Sequence, residues 1–160
     1  MTSVLAPPTR TRSLHLVDLE NLVGDPMASG PTALDALHRY LAISGWRSGD
    51  EVILAANPGL LRQVMFDLPV PCSVHAVTGT DAADFMLLAY AEPARVAARF
   101  GRLVVGSGDG EFAPTALEVR DRGVPVVVVA LHGCLSQTLQ GQGFGIRFIP
   151  APSSAVTLAA

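Results

Sequence analysis

Residues 14–25 read LHLVDLENLVGD, an apolar run that meets Asp18, Glu20 and Asn21 with no intervening turn residue. A strand over residues 14–17 accounts for the apolar part. A turn explains one polar residue after it, but not the recurrence of the pattern. Acidic groups also follow two later apolar runs, in VTGTDAAD (77–84) and in VVGSGDGEF (104–112). The first stretch therefore reads as one of several strands that each deliver acids at the carboxyl end.

Working outward, apolar runs alternate with helix-like segments along the chain. Strands are expected over 14–17, 51–55, 72–77, 103–105, 124–130 and 146–149. Several are continuous Val/Leu runs, as in VPVVVVAL (124–131), the pattern of parallel strands covered on both faces. Between them, residues 31–44 place Ala33, Leu34, Leu37 and Leu41 on one helical face, with Pro31 near the start. Pro93 kinks or divides the helical segment that follows Asp81, and Gly123 suits a helix end. Alternating β and α elements imply right-handed crossovers and a three-layer α/β/α sandwich around a mainly parallel, Rossmann-like sheet.

The chain has 160 residues, of which 49% are hydrophobic, and a net charge of −3. That length fits one domain able to bury roughly 70% of its unfolded surface. Residues 1–12 read as a flexible N-terminal arm, 13–150 as the domain and 151–160 as a C-terminal tail. No apolar stretch approaches the ~20 residues of a membrane span, and the N-terminus lacks a signal-peptide pattern. The two cysteines form no CxxC pair, which disfavours zinc and points to a reducing, cytoplasmic setting. All eleven basic residues are arginine. With a net negative chain, broad electrostatic attraction to nucleic acid is not expected.

In open parallel sheets, ligands bind beyond the carboxyl ends of the strands. Asp18, Asp81, Asp84, Asp109 and Glu111 share that rim if the sheet is parallel. Each acid alone is readily a helix cap, and Asp109 suits a helix beginning near Gly110. Collectively they pose a problem, because two carboxylates 4 Å apart repel by about 4 kcal/mol at an effective dielectric of 20. A hard divalent ion, Mg²⁺ or Mn²⁺, is the simplest neutraliser. Asn21 could supply a carbonyl ligand, orient Asp18 or close an Asx turn. Ser107 could orient a neighbouring acid. Gly106, Gly108 and Gly110 suit a tight strand-to-helix connection.

The motifs VDLEN, TGTDAAD and GSGDGEF, in this order at successive strand ends, resemble the NYN domain family of PIN-like nucleases. The resemblance spans about residues 13–150. It implies a sheet of order 3-2-1-4-5 and divalent-metal-dependent hydrolysis of RNA phosphodiester bonds. By the same resemblance, Asp18, Asn21, Asp81, Asp84, Ser107, Asp109 and Glu111 form the catalytic group. Glu111 departs from the aspartate common in that family.

Within this reading, Asp18, Asp81 and Asp109 hold the metal. Asp84 and Glu111 serve a second ion or metal-bound waters, Asn21 orients the ligands, and Glu20 points away. No histidine is required: His15 belongs to the core, His38 to the surface, and His132 could approach the rim. Asn57 and Arg62 are substrate-binding candidates, with Arg10 and Arg12 of the arm as further phosphate contacts. Phe85 and Met86 are expected to pack in the core. The alternative is a catalytically weak or inactive NYN-like module that binds RNA or protein; homodimerisation is left open. GSGDG is not the GxGxxG of dinucleotide-binding folds. A haloacid-type phosphatase would want an aspartate where Glu20 stands, and a receiver domain would want a lysine.

Overall fold

The computed structural model describes residues 12–150, so most of the expected arm (Arg10 included) and the tail lie outside the described residues. Six strands form one sheet: β1 (Ser13–Asp18), β2 (Glu51–Ala56), β3 (Ser73–Ala76), β4 (Arg102–Gly106), β5 (Val126–Leu131) and β6 (Gly145–Ile149). Every pairing is parallel, and the order is β3-β2-β1-β4-β5-β6. The expected 3-2-1-4-5 arrangement is present, with the last strand added beside β5. The third strand is shorter than expected, four half-exposed edge residues, consistent with the short edges that limit unwanted pairing.

The helices are α1 (Leu19–Val23), α2 (Gly30–Ser44), α3 (Pro58–Val64), α4 (Ala82–Leu88), α5 (Pro93–Arg99) and α6 (Ala113–Asp121). The two-residue period of the strands sorts side chains between two cores. Leu14, Leu16, Ile53, Leu103, Val105 and Val128 pack with Leu87, Val96, Phe112 and Val119 from α4, α5, α6 and the turn before α6. Val17, Leu54, Val104 and Val129 face the other way, against Leu22, Leu37, Tyr40, Leu60 and Val64 of α1, α2 and α3. The central strands are apolar on both faces because both faces are covered.

Local signals set the boundaries. Ser29 caps α2, with Pro31 in its first turn and left-handed Gly45 at its end. Pro93 begins α5 rather than kinking a longer helix, and Glu92 caps it by accepting from Ala94 N and Arg95 N. Pro lacks the N–H that a helix interior needs but not the one its first turn leaves unused. Residues 19–23 form a short helix capped by Asp18. No described helix is long and apolar enough to cross a membrane.

Candidate metal centre

The carboxyl ends of β1, β2, β3 and β4 open onto a cleft of about 490 Å³. Asp18, Glu20, Asp81, Asp84 and Asp109 line it together with Asn21 and Asn57, and among the described residues no basic side chain does. Asp18 arrives as the last residue of β1. Asp81 and Asp84 come from the start of α4, one turn apart. Asp109 follows β4 and opens the 3-10 turn Gly110–Phe112.

The tightest group differs from the expected one. Asp81, Asp84 and Asp109 each place a carboxylate oxygen within 4.8 Å of the others. Asp18 stands beside this trio, close enough to act electrostatically on Asp84. The entry to α4 is unusual. Asp81 has φ +58°, and is the one non-glycine residue with positive φ among those described. Its side chain makes no capping hydrogen bond. A left-handed aspartate costs on the order of 1–3 kcal/mol, and capping does not offset it here.

Capping does describe two other acids. Asp18 Oδ1 accepts from Asn21 N at 3.3 Å, and Asp109 Oδ1 accepts from Glu111 N at 2.9 Å. Both acids still line the cleft. The electrostatics are unfavourable without a cation. Burial raises Asp84 to about 7, helped by the Asp109 charge and a hydrogen bond with Asp109, then by Asp18 and Asp81. Burial raises Asp18 to about 6, the Asn21 hydrogen bond opposing and Glu20 and Asp109 adding to it. Asp84 is only 4% exposed and Asp18 8%, so water does little to relieve either charge.

Asn21 and Ser107 brace the cleft. Asn21 Oδ1 accepts from Gly108 N at 2.9 Å, tying the end of β1 to the loop after β4. Ser107, fully buried, accepts from Asp109 N at 3.2 Å. Gly108 is required by close approach: a Cβ there would collide with the Cys134 carbonyl, and Gly108 O accepts from Ser136 N. None of the three motif glycines has positive φ, so conformational freedom is not their reason.

Several expected contributors stand elsewhere. Glu111 is exposed and outside the cleft lining. Glu20, expected to point away, lines the cleft, and its Oε1 accepts from Asn57 N at 2.6 Å. Sequence alone carried no sign of this contact, because the partner lies 37 positions away. Asn57 is in the lining, but its amide is committed to Leu60 N and Pro26 O. Arg62 is exposed and does not line the cleft. Arg12 sits at the opposite end of the sheet, paired with Glu51 at 2.7 Å. Phe85, expected in the core, is 83% exposed, whereas Met86 packs on the core as expected. His132 is exposed and stacks edge-on against Phe148 of β6.

All the donors in the trio are carboxylate oxygens, the set that suits Mg²⁺ or Mn²⁺ and not a thiolate-seeking ion. A cation there would favour the ionised acids and lower the raised pKa values. No protein-family model matches the sequence, and no curated protein does. Among solved structures, the chain is similar to a protein of unknown function from Vibrio parahaemolyticus, at 15% identity and a TM-score of 0.60, over 91% of this chain and 96% of that one. The likeness establishes the fold.

Proposed function

We propose that this protein is a divalent-metal-dependent ribonuclease of the NYN, PIN-like kind, acting on RNA phosphodiesters in the cytoplasm. The observation that carries the reading is the cleft lining itself: five acids, two of them buried with raised pKa values, and no basic side chain. A fold does not retain such an arrangement for stability, since it opposes folding at neutral pH. The unpaired Cys72 and Cys134 accord with a reducing compartment.

Asp81, Asp84 and Asp109 would hold Mg²⁺ or Mn²⁺, which supplies charge to bind a phosphate oxygen and to acidify an attacking water. The chain's own residues do the rest. Asp18, lining the cleft beside the trio, is placed to accept a hydrogen bond from the attacking water. Asn21 and Ser107 fix the loop that carries Asp109. With no arginine among the described residues of the lining, the cation would be what binds the phosphate.

The test is cleavage of single-stranded and structured RNA in Mg²⁺, Mn²⁺ or EDTA, with Asp18→Asn and Asp109→Asn alongside. Cleavage confined to metal and lost in Asp109→Asn is expected. Cleavage persisting in EDTA, or undiminished in both variants, overturns the reading. The lack of a basic lining favours one second reading, a binding module with little turnover. Metal-dependent RNA binding without cleavage would select it.

A further inference from the structure

A smaller groove of about 260 Å³ adjoins the acidic cleft and shares Pro26 and Asn57 with it. Met27, Ala28, Gly59, Leu60 and Gln63 complete its lining. Its chemistry contrasts with that of its neighbour, since no charged side chain lines it. A phosphate would find no cation in it and no acid to hold one. Its volume lies below the roughly 300–1,000 Å³ of sites that enclose a whole small molecule. It suits a fragment attached to something held next door.

The lining offers apolar contact beside one fixed amide. Pro26, Met27 and Leu60 supply apolar contact, and a methionine thioether is favourable against an aromatic ring. Gln63 supplies an amide whose orientation is set, because its Oε1 accepts from Gly30 N at 2.8 Å. That leaves its NH₂ to donate. Asn57 is held on both sides of its amide, donating to Pro26 O and accepting from Leu60 N. It therefore acts as a fixed divider between groove and cleft. Met27 is 87% exposed, an apolar side chain left uncovered at the groove's edge.

We propose that this groove takes one unstacked base of a single-stranded RNA whose neighbouring phosphate lies over the acids. The inference rests on the nuclease reading and adds to it a reason for preferring single strands. A base within a duplex is stacked on both faces and cannot enter a side groove, whereas unstacked bases are what proteins commonly read in RNA.

The test uses the full chain with Ca²⁺ as the supporting ion and a fluorescein-labelled eight-nucleotide RNA, read by anisotropy. The RNA is offered intact and as a series with one abasic position. One abasic position should weaken binding to the wild type about tenfold, the size of the loss of one buried apolar contact. Ala28→Trp, which fills the groove, should weaken the intact RNA by a similar factor and abolish the sensitivity to the abasic position. Such non-additivity marks a direct contact. Met27→Ala, at an exposed position, should give a smaller loss in the same direction and serves if Ala28→Trp does not fold. Both variants should keep the wild-type rise in melting temperature with Mn²⁺. Equal sensitivity to the abasic series in wild type and in the variants overturns the proposal, as does equal affinity for duplex and single strand. A wild type that neither melts higher in Mn²⁺ nor cleaves RNA overturns the nuclease reading instead.

Discussion

The two ends of the sheet bury ionisable groups in opposite ways. At the amino end, His15 and Tyr40 are fully buried and the Asp50 side chain is 2% exposed. His15 donates from Nε2 to Asp50 Oδ2 at 3.1 Å, and its Nδ1 accepts from the Tyr40 hydroxyl at 2.8 Å. Asp50 also accepts from Ser13 N and Arg47 N. Burial alone would raise Asp50, but these hydrogen bonds outweigh it and hold the carboxyl below its ordinary value. Burial lowers His15, against the pull of Asp50, so a neutral imidazole faces an ionised acid. Arg102 and Arg147 donate to Gly45 O and Ile43 O at the end of α2. At the carboxyl end, the cleft acids face one another, and no basic side chain among the described residues joins them. The first end satisfies its charges internally; the second does not.

The contrast can be broken most forcefully at the amino end. Asp50→Ala should cost about 3 kcal/mol in urea unfolding, since it strands His15 Nε2 and two backbone N–H groups. It should leave the Mn²⁺ response intact. Next comes the metal itself. Mn²⁺ at a hundred times its Kd should stabilise the wild type by about 2.7 kcal/mol, a rise of roughly 5–10 °C in Tm. Asp109→Asn should blunt this rise, and an unchanged melting curve across a wide metal range would reduce the acids to caps.

A third test works the sign of the pH dependence. The raised pKa values of Asp84 and Asp18 mean that their contribution is fully present below about pH 4 and is lost as pH rises through 6 to 7. In EDTA, Asp84→Asn should therefore match the wild type near pH 4 and exceed it by about 1–2 kcal/mol above pH 7, with the order reversed in saturating Mn²⁺. The amino end runs the other way. His15 is depressed, so its contribution is lost as pH falls below the ordinary histidine value of 6.5. In Asp84→Asn that acid limb should persist and steepen, because the opposing Asp84 slope is gone. The smallest effect is at Phe85, where Phe85→Ser should change stability by less than about 0.5 kcal/mol because the ring buries so little.

Much of this was legible in the chain. Continuous Val and Leu runs called for a doubly covered parallel sheet, and the motifs placed Asp18, Asp81, Asp84 and Asp109 at one rim of it. Pro93 marked a break in its helical segment. Sequence misplaced what depends on the direction in which a short helix is entered. Left-handed Asp81 gathers Asp81 and Asp84 with Asp109, and Phe85, one residue on, turns to solvent.

By itself, then, the sequence determined the layers, the parallel character of the sheet and the rim at which the acids collect, because hydrophobic period and strand polarity are properties of neighbours along the chain. Only the tertiary structure decided which three acids converge and that Glu20 turns inward to Asn57. It alone also decided that Gly108 must lack a side chain beneath Cys134 and that an uncharged groove lies beside the cleft. Those outcomes depend on atoms dozens of residues apart meeting within hydrogen-bonding or van der Waals distance, and no local pattern encodes that.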